Sequence, residues 1–102
     1  MRKYCIIVNP VAGRGAGKKA IPEIESYLNA LGIDYDLLVT NEPGHGIKLA
    51  EEAGTNGYQT VVAVGGDGTA NEVINGLMHA SNKGKLTARL AVFPVGRGND
   101  FS

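Results

Sequence analysis

Thr60-Val61-Val62-Ala63-Val64-Gly65-Gly66-Asp67-Gly68-Thr69-Ala70-Asn71-Glu72-Val73 takes the chain from a β-branched run, through three glycines, into a segment with helical spacing. Thr60 to Val64 reads as a strand. Val73, Ile74, Leu77 and Met78 mark the helix that follows. A strand that enters a helix through a glycine turn is the repeating unit of α/β proteins, and the same unit can be sought on either side of it.

Upstream, Lys3 to Asn9 is a short β-branched run closed by Pro10, and a glycine-rich stretch follows it. Ile21, Ile24, Leu28 and Leu31 then recur at intervals of three and four. They predict a helix with Pro22 in its first turn and Gly32 as its stop. Tyr35 to Thr40 is a second strand, followed by the turn cluster Asn41-Glu42-Pro43-Gly44 and a helix from about His45 to Ala53. Downstream, Arg89 to Phe93 is a fourth strand ending at Pro94. Strands alternating with helices over such connections predict a parallel sheet with right-handed crossovers, a doubly wound three-layer α/β/α structure of Rossmann-like type. No repeat, linker or low-complexity tract interrupts the 102 residues, which fit a single domain.

Composition narrows the function classes. Apolar content of 43% and a charged fraction of 20% are those of an ordinary globular domain. Ten basic and ten acidic side chains balance, so the chain has no electrostatic footprint for nucleic acid. No apolar run has the length of a bilayer span, and the run after Arg2-Lys3 is too brief for a secretion signal, which predicts a cytoplasmic protein. Cys5 is the only cysteine and sits within a strand, where a buried thiol is expected. His45 and His79 have no partner at metal-ligand spacing, so no transition-metal site is expected. His45 is given a local packing or capping role, His79 a contact with its helix dipole, and Lys18 and Lys19 a solvated helix start.

Ten of the fifteen glycines fall in the loops that directly follow the four strands: Gly13, Gly15, Gly17, Gly44, Gly46, Gly65, Gly66, Gly68, Gly96 and Gly98. In a parallel sheet those loops share the carboxyl edge, where open α/β proteins bind ligands. Glycine admits close approach of backbone N–H groups, and each helix start adds its own donors and dipole, so the edge suits an anion. The Walker pattern fails, because Ala12 stands where its first glycine belongs and Lys19 where Ser or Thr belongs. A dinucleotide G-x-G-x-x-G fails as well, since position 18 is lysine. Thr69-x-x-Glu72 matches a capping box, with Thr69 capping the third helix and Glu72 reaching back. That leaves Asp67. A carboxylate among phosphate-binding N–H groups would repel the ligand unless it holds a metal ion or takes a proton from an attacking hydroxyl, and both uses belong to phosphoryl transfer.

Asn9-Pro10-x-x-Gly13, Gly65-Gly66-Asp67-Gly68-Thr69-x-Asn71-Glu72-Val73 and Pro94-x-Gly96-x-Gly98-Asn99-Asp100-Phe101 resemble the three signature blocks of the diacylglycerol kinase catalytic domain. Thr40 with Pro43-Gly44-His45 resembles a fourth, and the order and spacing match from Tyr4 to the last residue. The resemblance implies a fold of the NAD kinase and diacylglycerol kinase type. It also implies an ATP-dependent, magnesium-assisted kinase acting on a lipid hydroxyl, of diacylglycerol or a sphingoid base. Residues 1–102 would be its nucleotide-binding domain, cut off before a C-terminal β-sandwich domain that completes the lipid site. Lipid metabolism would place it in the cytoplasm, with peripheral contact at the inner membrane face as an option. The nucleotide contacts carry over to Asn9, Pro10, Val11, Ala12 and Gly13, to Thr40, and to Gly66, Asp67, Gly68, Thr69, Ala70, Asn71 and Glu72. Asp67 matches the essential acidic residue. It is proposed as the base in the sphingosine kinase branch, whereas an acid of the second domain competes for that role in the bacterial diacylglycerol kinase branch. The other readings of the same residues are a soluble kinase of the NAD kinase type and a non-catalytic nucleotide-binding module.

One position departs from the family pattern. Where Gly-Thr-Gly-Asn-Asp is usual, this chain has Gly96-Arg97-Gly98-Asn99-Asp100, which removes a hydroxyl contact. The Arg97 guanidinium could offer forked donors to an ATP phosphate or could point to solvent. If it binds phosphate, Arg97→Ala should weaken ATP binding roughly tenfold, as for loss of a charged hydrogen bond. Unchanged affinity in a calorimetric titration would remove Arg97 from the site.

Overall fold

A computed structural model of the chain describes residues 4–84 and 88–95. Seven elements alternate along it: β1 (Tyr4–Val8), α1 (Ala12–Ala30), β2 (Tyr35–Val39), α2 (His45–Thr55), β3 (Thr60–Gly65), α3 (Asp67–Asn82) and β4 (Arg89–Pro94). The strands form one parallel sheet in the order β2-β1-β3-β4, with Tyr4 opposite Tyr35 and Thr60, and Thr60 opposite Arg89. This is the α/β/α architecture that the sequence predicts.

Alternation along the inner strands builds the two cores. Cys5 and Ile7 of β1, with Val61 and Ala63 of β3, pack against Ala50 and Ala53 of α2 and Val73 and Leu77 of α3. Ile6 and Val8, with Val64, face Ala20, Ile24 and Leu28 of α1 on the opposite side. Each fully buried Ile or Val in these layers contributes about 1.5–3 kcal/mol by leaving water. Burial pushes the Cys5 thiol up to about 12, with the Asp36 carboxylate adding to the effect, so this free cysteine stays protonated at neutral pH.

The helices differ from expectation in detail. Pro22 lies in the interior of α1, because the chain is already helical after Gly15. Pro22 and Lys18 are both exposed, so the carbonyl that loses its intrahelical donor lies on the solvent side. On α3 the buried face is Thr69, Val73, Gly76, Leu77 and Ala80, while Ile74 and Met78 are exposed. The reason is the partner: α3 packs on α2 as well as on the sheet. A Cβ on Gly76 would overlap the Ile47 carbonyl and lie 2.6 Å from the Ala50 Cβ. Further along the same interface, Lys83 pairs with Glu51, whose carboxylate is held below its usual range by that ammonium, and His79 Nδ1 stands 3.6 Å from Glu51.

The two edge strands are not buried on both faces, and β4 is the more open of them. All six of its residues are exposed, including Leu90, Val92 and Phe93.

Gly76→Ala should therefore destabilise the domain. Overpacking of a tight contact costs about 1–3 kcal/mol, which outweighs the ~1 kcal/mol that alanine gains over glycine in a helix. Urea denaturation should show a lower midpoint, and an unchanged or higher midpoint would mean that the α2–α3 contact is looser than described.

Candidate functional site

The carboxyl edge of the sheet is assembled from four chain segments, each fixed by backbone bonds to its neighbours. After β1, the Asn9 N–H donates to the Val64 carbonyl at 3.0 Å, which continues the sheet pairing by one residue. The Asn9 side chain then accepts from the Val11 N–H at 3.2 Å, and the Ala12 N–H donates to the Asn9 carbonyl at 3.2 Å, folding Asn9–Ala12 into a compact turn. Gly13, Arg14 and Gly15 follow in left-handed conformations, with Arg14 at φ 60°. A left-handed non-glycine residue costs about 1–2 kcal/mol. The reversal it belongs to brings the regular part of α1 back onto the turn. There the Lys18 N–H reaches the Pro10 carbonyl at 3.1 Å, and Gly17 lies so close to the Asn9 carbonyl that no Cβ would fit.

After β2, the Thr40 N–H donates to the Val8 carbonyl at 2.9 Å, and His45 Nδ1 accepts from the Asn41 N–H at 2.9 Å. The local structural role expected of His45 is thus the one it has. After β3, Gly66 is the residue before α3 and makes no side-chain cap, so the first-turn N–H groups of Asp67, Gly68 and Thr69 have no intrahelical acceptor. Asp67, the first residue of the helix, is exposed. The Val95 N–H donates to the Gly65 carbonyl at 3.0 Å and brings the segment after β4 alongside.

The capping box does not form. Thr69 is the third residue of α3 and is turned inward against Gly65, 5% exposed. Glu72 does not reach back along its own helix. It reaches across to α2, accepting from the Gly44 N–H at 2.9 Å (Oε2) and the Gly46 N–H at 3.0 Å (Oε1). The start of α2 is a better partner, since it offers two N–H donors and the positive end of a helix dipole.

Between these segments lies a cleft of about 580 Å³. Its first wall is Asn9, Pro10, Val11, Ala12 and Gly13, its second is Thr40 with Asn41, Glu42 and Pro43, and its third is Gly66, Gly68, Thr69 and Glu72, with Val95 beside them. Ten of the residues singled out in the sequence thus meet around one space. Asp67, Ala70 and Asn71 are on the same turns of α3 but do not line it, and Arg97 lies outside the described residues, as do Gly96 and Gly98. Asn41, Glu42, Pro43 and Val95 were not singled out as site residues. Asn41 to Pro43 were legible as a turn following a strand, and the turn's place on the carboxyl edge was the available signal. Lys18 and Lys19 are exposed, and neither lines the cleft. Among the described residues no group of three or more His, Cys, Asp or Glu could hold a metal ion, and no helix is long and apolar enough to cross a membrane.

Known proteins share both sequence and fold with this chain. It is 36% identical to a diacylglycerol kinase of Staphylococcus haemolyticus over 99% of its length and 30% of the relative's. It is 35% identical to a diacylglycerol kinase of Bacillus subtilis over all of its length and 32% of that protein's. The chain thus spans about a third of the curated relatives it matches. A solved diacylglycerol kinase structure from Bacillus anthracis superposes with a TM-score of 0.77 at 34% identity, covering 99% of this chain and 35% of that one. Residues 3–102 match the diacylglycerol kinase catalytic domain, and the chain belongs to that family.

Proposed function

We propose that the chain is the ATP-binding domain of a lipid kinase that transfers the γ-phosphate of ATP to a lipid hydroxyl, of diacylglycerol or a sphingoid base. The observation that carries this reading is the convergence of three glycine-bearing strand ends and the uncapped start of α3 on one cleft. Its volume is within the usual range for small-molecule sites. No described Lys or Arg lines it, so phosphate oxygens would be met by backbone donors: the N–H groups at the start of α3 and the turn from Asn9 to Gly13. Thr40, on the second wall, is a nucleotide contact in this reading.

Asp67 fits the remaining requirement. It is an exposed carboxylate at a helix start, between two glycines that line the cleft. Magnesium binds through one or two carboxylates together with substrate phosphates and water, so a lone acid beside the phosphates suits it. When bound, magnesium would neutralise charge on the phosphates. Asp67 would hold that ion or take the proton from the lipid hydroxyl as its oxygen bonds to the γ-phosphorus and the bond to ADP breaks. Membership of a family whose curated relatives are about three times longer supports a further domain of the same polypeptide as the lipid-binding partner. A lipid acceptor in turn favours peripheral work at a membrane surface.

Two measurements test the reading. Phosphate transfer from labelled ATP to diacylglycerol or sphingosine in mixed micelles should appear when the chain is joined to the C-terminal two thirds of the Bacillus subtilis relative. Asp67→Asn should lower that rate by about 10²–10⁴-fold, whereas transfer only to soluble acceptors would reject the lipid. Nothing lies within 4 Å of a Cβ on Gly68, so Gly68→Ala should leave stability within about 0.5 kcal/mol of the parent. It should still weaken ATP binding roughly tenfold by holding a phosphate off the α3 start. Equal affinity would place the phosphates elsewhere.

A further inference from the structure

Glu72 lines the cleft, yet both of its carboxylate oxygens are taken by backbone donors 26 and 28 residues away in sequence. We propose that Glu72 is a positioning residue, a clamp that fastens the Thr40–Pro43 wall to α3, and that it makes no contact with the nucleotide. The inference rests on the nucleotide reading for its consequence, though not for the clamp itself.

The receiving side is shaped for this carboxylate. Gly44 is left-handed, at φ +87°, and a Cβ on Gly46 would stand 2.7 Å from Glu72 Oε1. Gly44 and Gly46 thus leave room for an oxygen that an alanine at 46 would push away. The loop is fixed at its other end by the Thr40–Val8 bond, and Asn41 is fixed by His45. Asn41, Glu42 and Pro43 therefore span a gap whose two ends belong to β1 and, through Glu72, to α3. Glu72 also lies one turn beyond Thr69, on the helix whose start faces the cleft. The second and third walls are consequently tied through one side chain, and their separation sets the width of the cleft.

The clamp also decides which helix start can receive an anion. The Gly44 and Gly46 N–H groups are already satisfied by a carboxylate, whose charge offsets the positive end of α2. Among the described residues the first-turn N–H groups of α3 have no such side-chain acceptor, and the acid of that turn, Asp67, is exposed. Phosphate is thereby directed to Gly66–Thr69 and turned away from α2.

A double-mutant cycle between Glu72→Ala and Gly46→Ala separates a clamp from a ligand contact. Amide hydrogen exchange of the full chain supplies a readout that needs no ligand. In Glu72→Ala the Gly44 and Gly46 amides should exchange at least about tenfold faster, with the α3 core unchanged. Each single variant should weaken ATP binding about tenfold, as for loss of hydrogen bonds to a charged group, and the double variant should bind no worse than the weaker single. Glu72→Gln, which keeps one acceptor oxygen, should recover part of both losses. It also carries the test with Gly46→Ala if Glu72→Ala does not fold. Additive losses in affinity, or unaltered exchange at Gly44 and Gly46, would overturn the clamp. Failure of the parent chain to bind ATP would overturn the nucleotide reading, and the exchange data would still judge the clamp.

Discussion

Ile7 and Val8 are neighbours in the chain and are fully buried on opposite sides of the sheet. That places β1 under two constraints at once, because a shift of one residue would exchange every side chain between the α1 core and the α2–α3 core. Its register against β2 and β3 is accordingly fixed, and so is the point where it ends. The cleft depends on that endpoint. Asn9 is the first residue past the strand, bonded to Val64 on one side, and Thr40 on the other flank is bonded to Val8. Three walls are therefore aligned by the same register that fills the core, without any contact made for the ligand's sake.

The sheet order adds the second condition. With β1 between β2 and β3, the connection through α1 leaves on one side of the sheet and those through α2 and α3 lie on the other. Such a switch point opens a crevice at the carboxyl ends of the strands. The α2–α3 side is the more tightly joined. Gly76 allows the backbones to meet, and Glu51 with Lys83 and His79 holds the far end. The near end is where Glu72 joins Gly44 and Gly46.

The fold was legible because inner strands buried on both faces read as unbroken apolar runs, and Tyr35, His45, Thr60 and Arg89 all begin elements where the sequence predicts them. What failed was local reasoning about helix starts. Thr69-x-x-Glu72 satisfies the capping pattern, but the pattern counts only neighbours in sequence and cannot include a second helix that offers better donors. Pro22 was misplaced for a related reason. The glycines before it read as loop, whereas Ala16 onward is helical and only Gly13 to Gly15 depart from helical angles. The apolar residues Ile74 and Met78 mark the helix in the sequence but stand outside its buried face, which includes Gly76 and Ala80. In the site, glycine position was a sound guide to which strand ends converge. Gly44 and Gly46 pointed to the loop after β2 but not to Asn41, Glu42 and Pro43 as its lining residues, and the tie of that loop to Glu72 joins elements far apart in sequence.

β4 stands apart from this shared rigidity. Its pairing with β3 is its main attachment, since neither face is covered among the described residues. Among the described residues β4 is an edge of the sheet, so its outer row of backbone N–H and C=O groups is open to pairing on the Val95 side of the cleft, whereas the Asn9 and Thr40 sides are bonded to the inner strands.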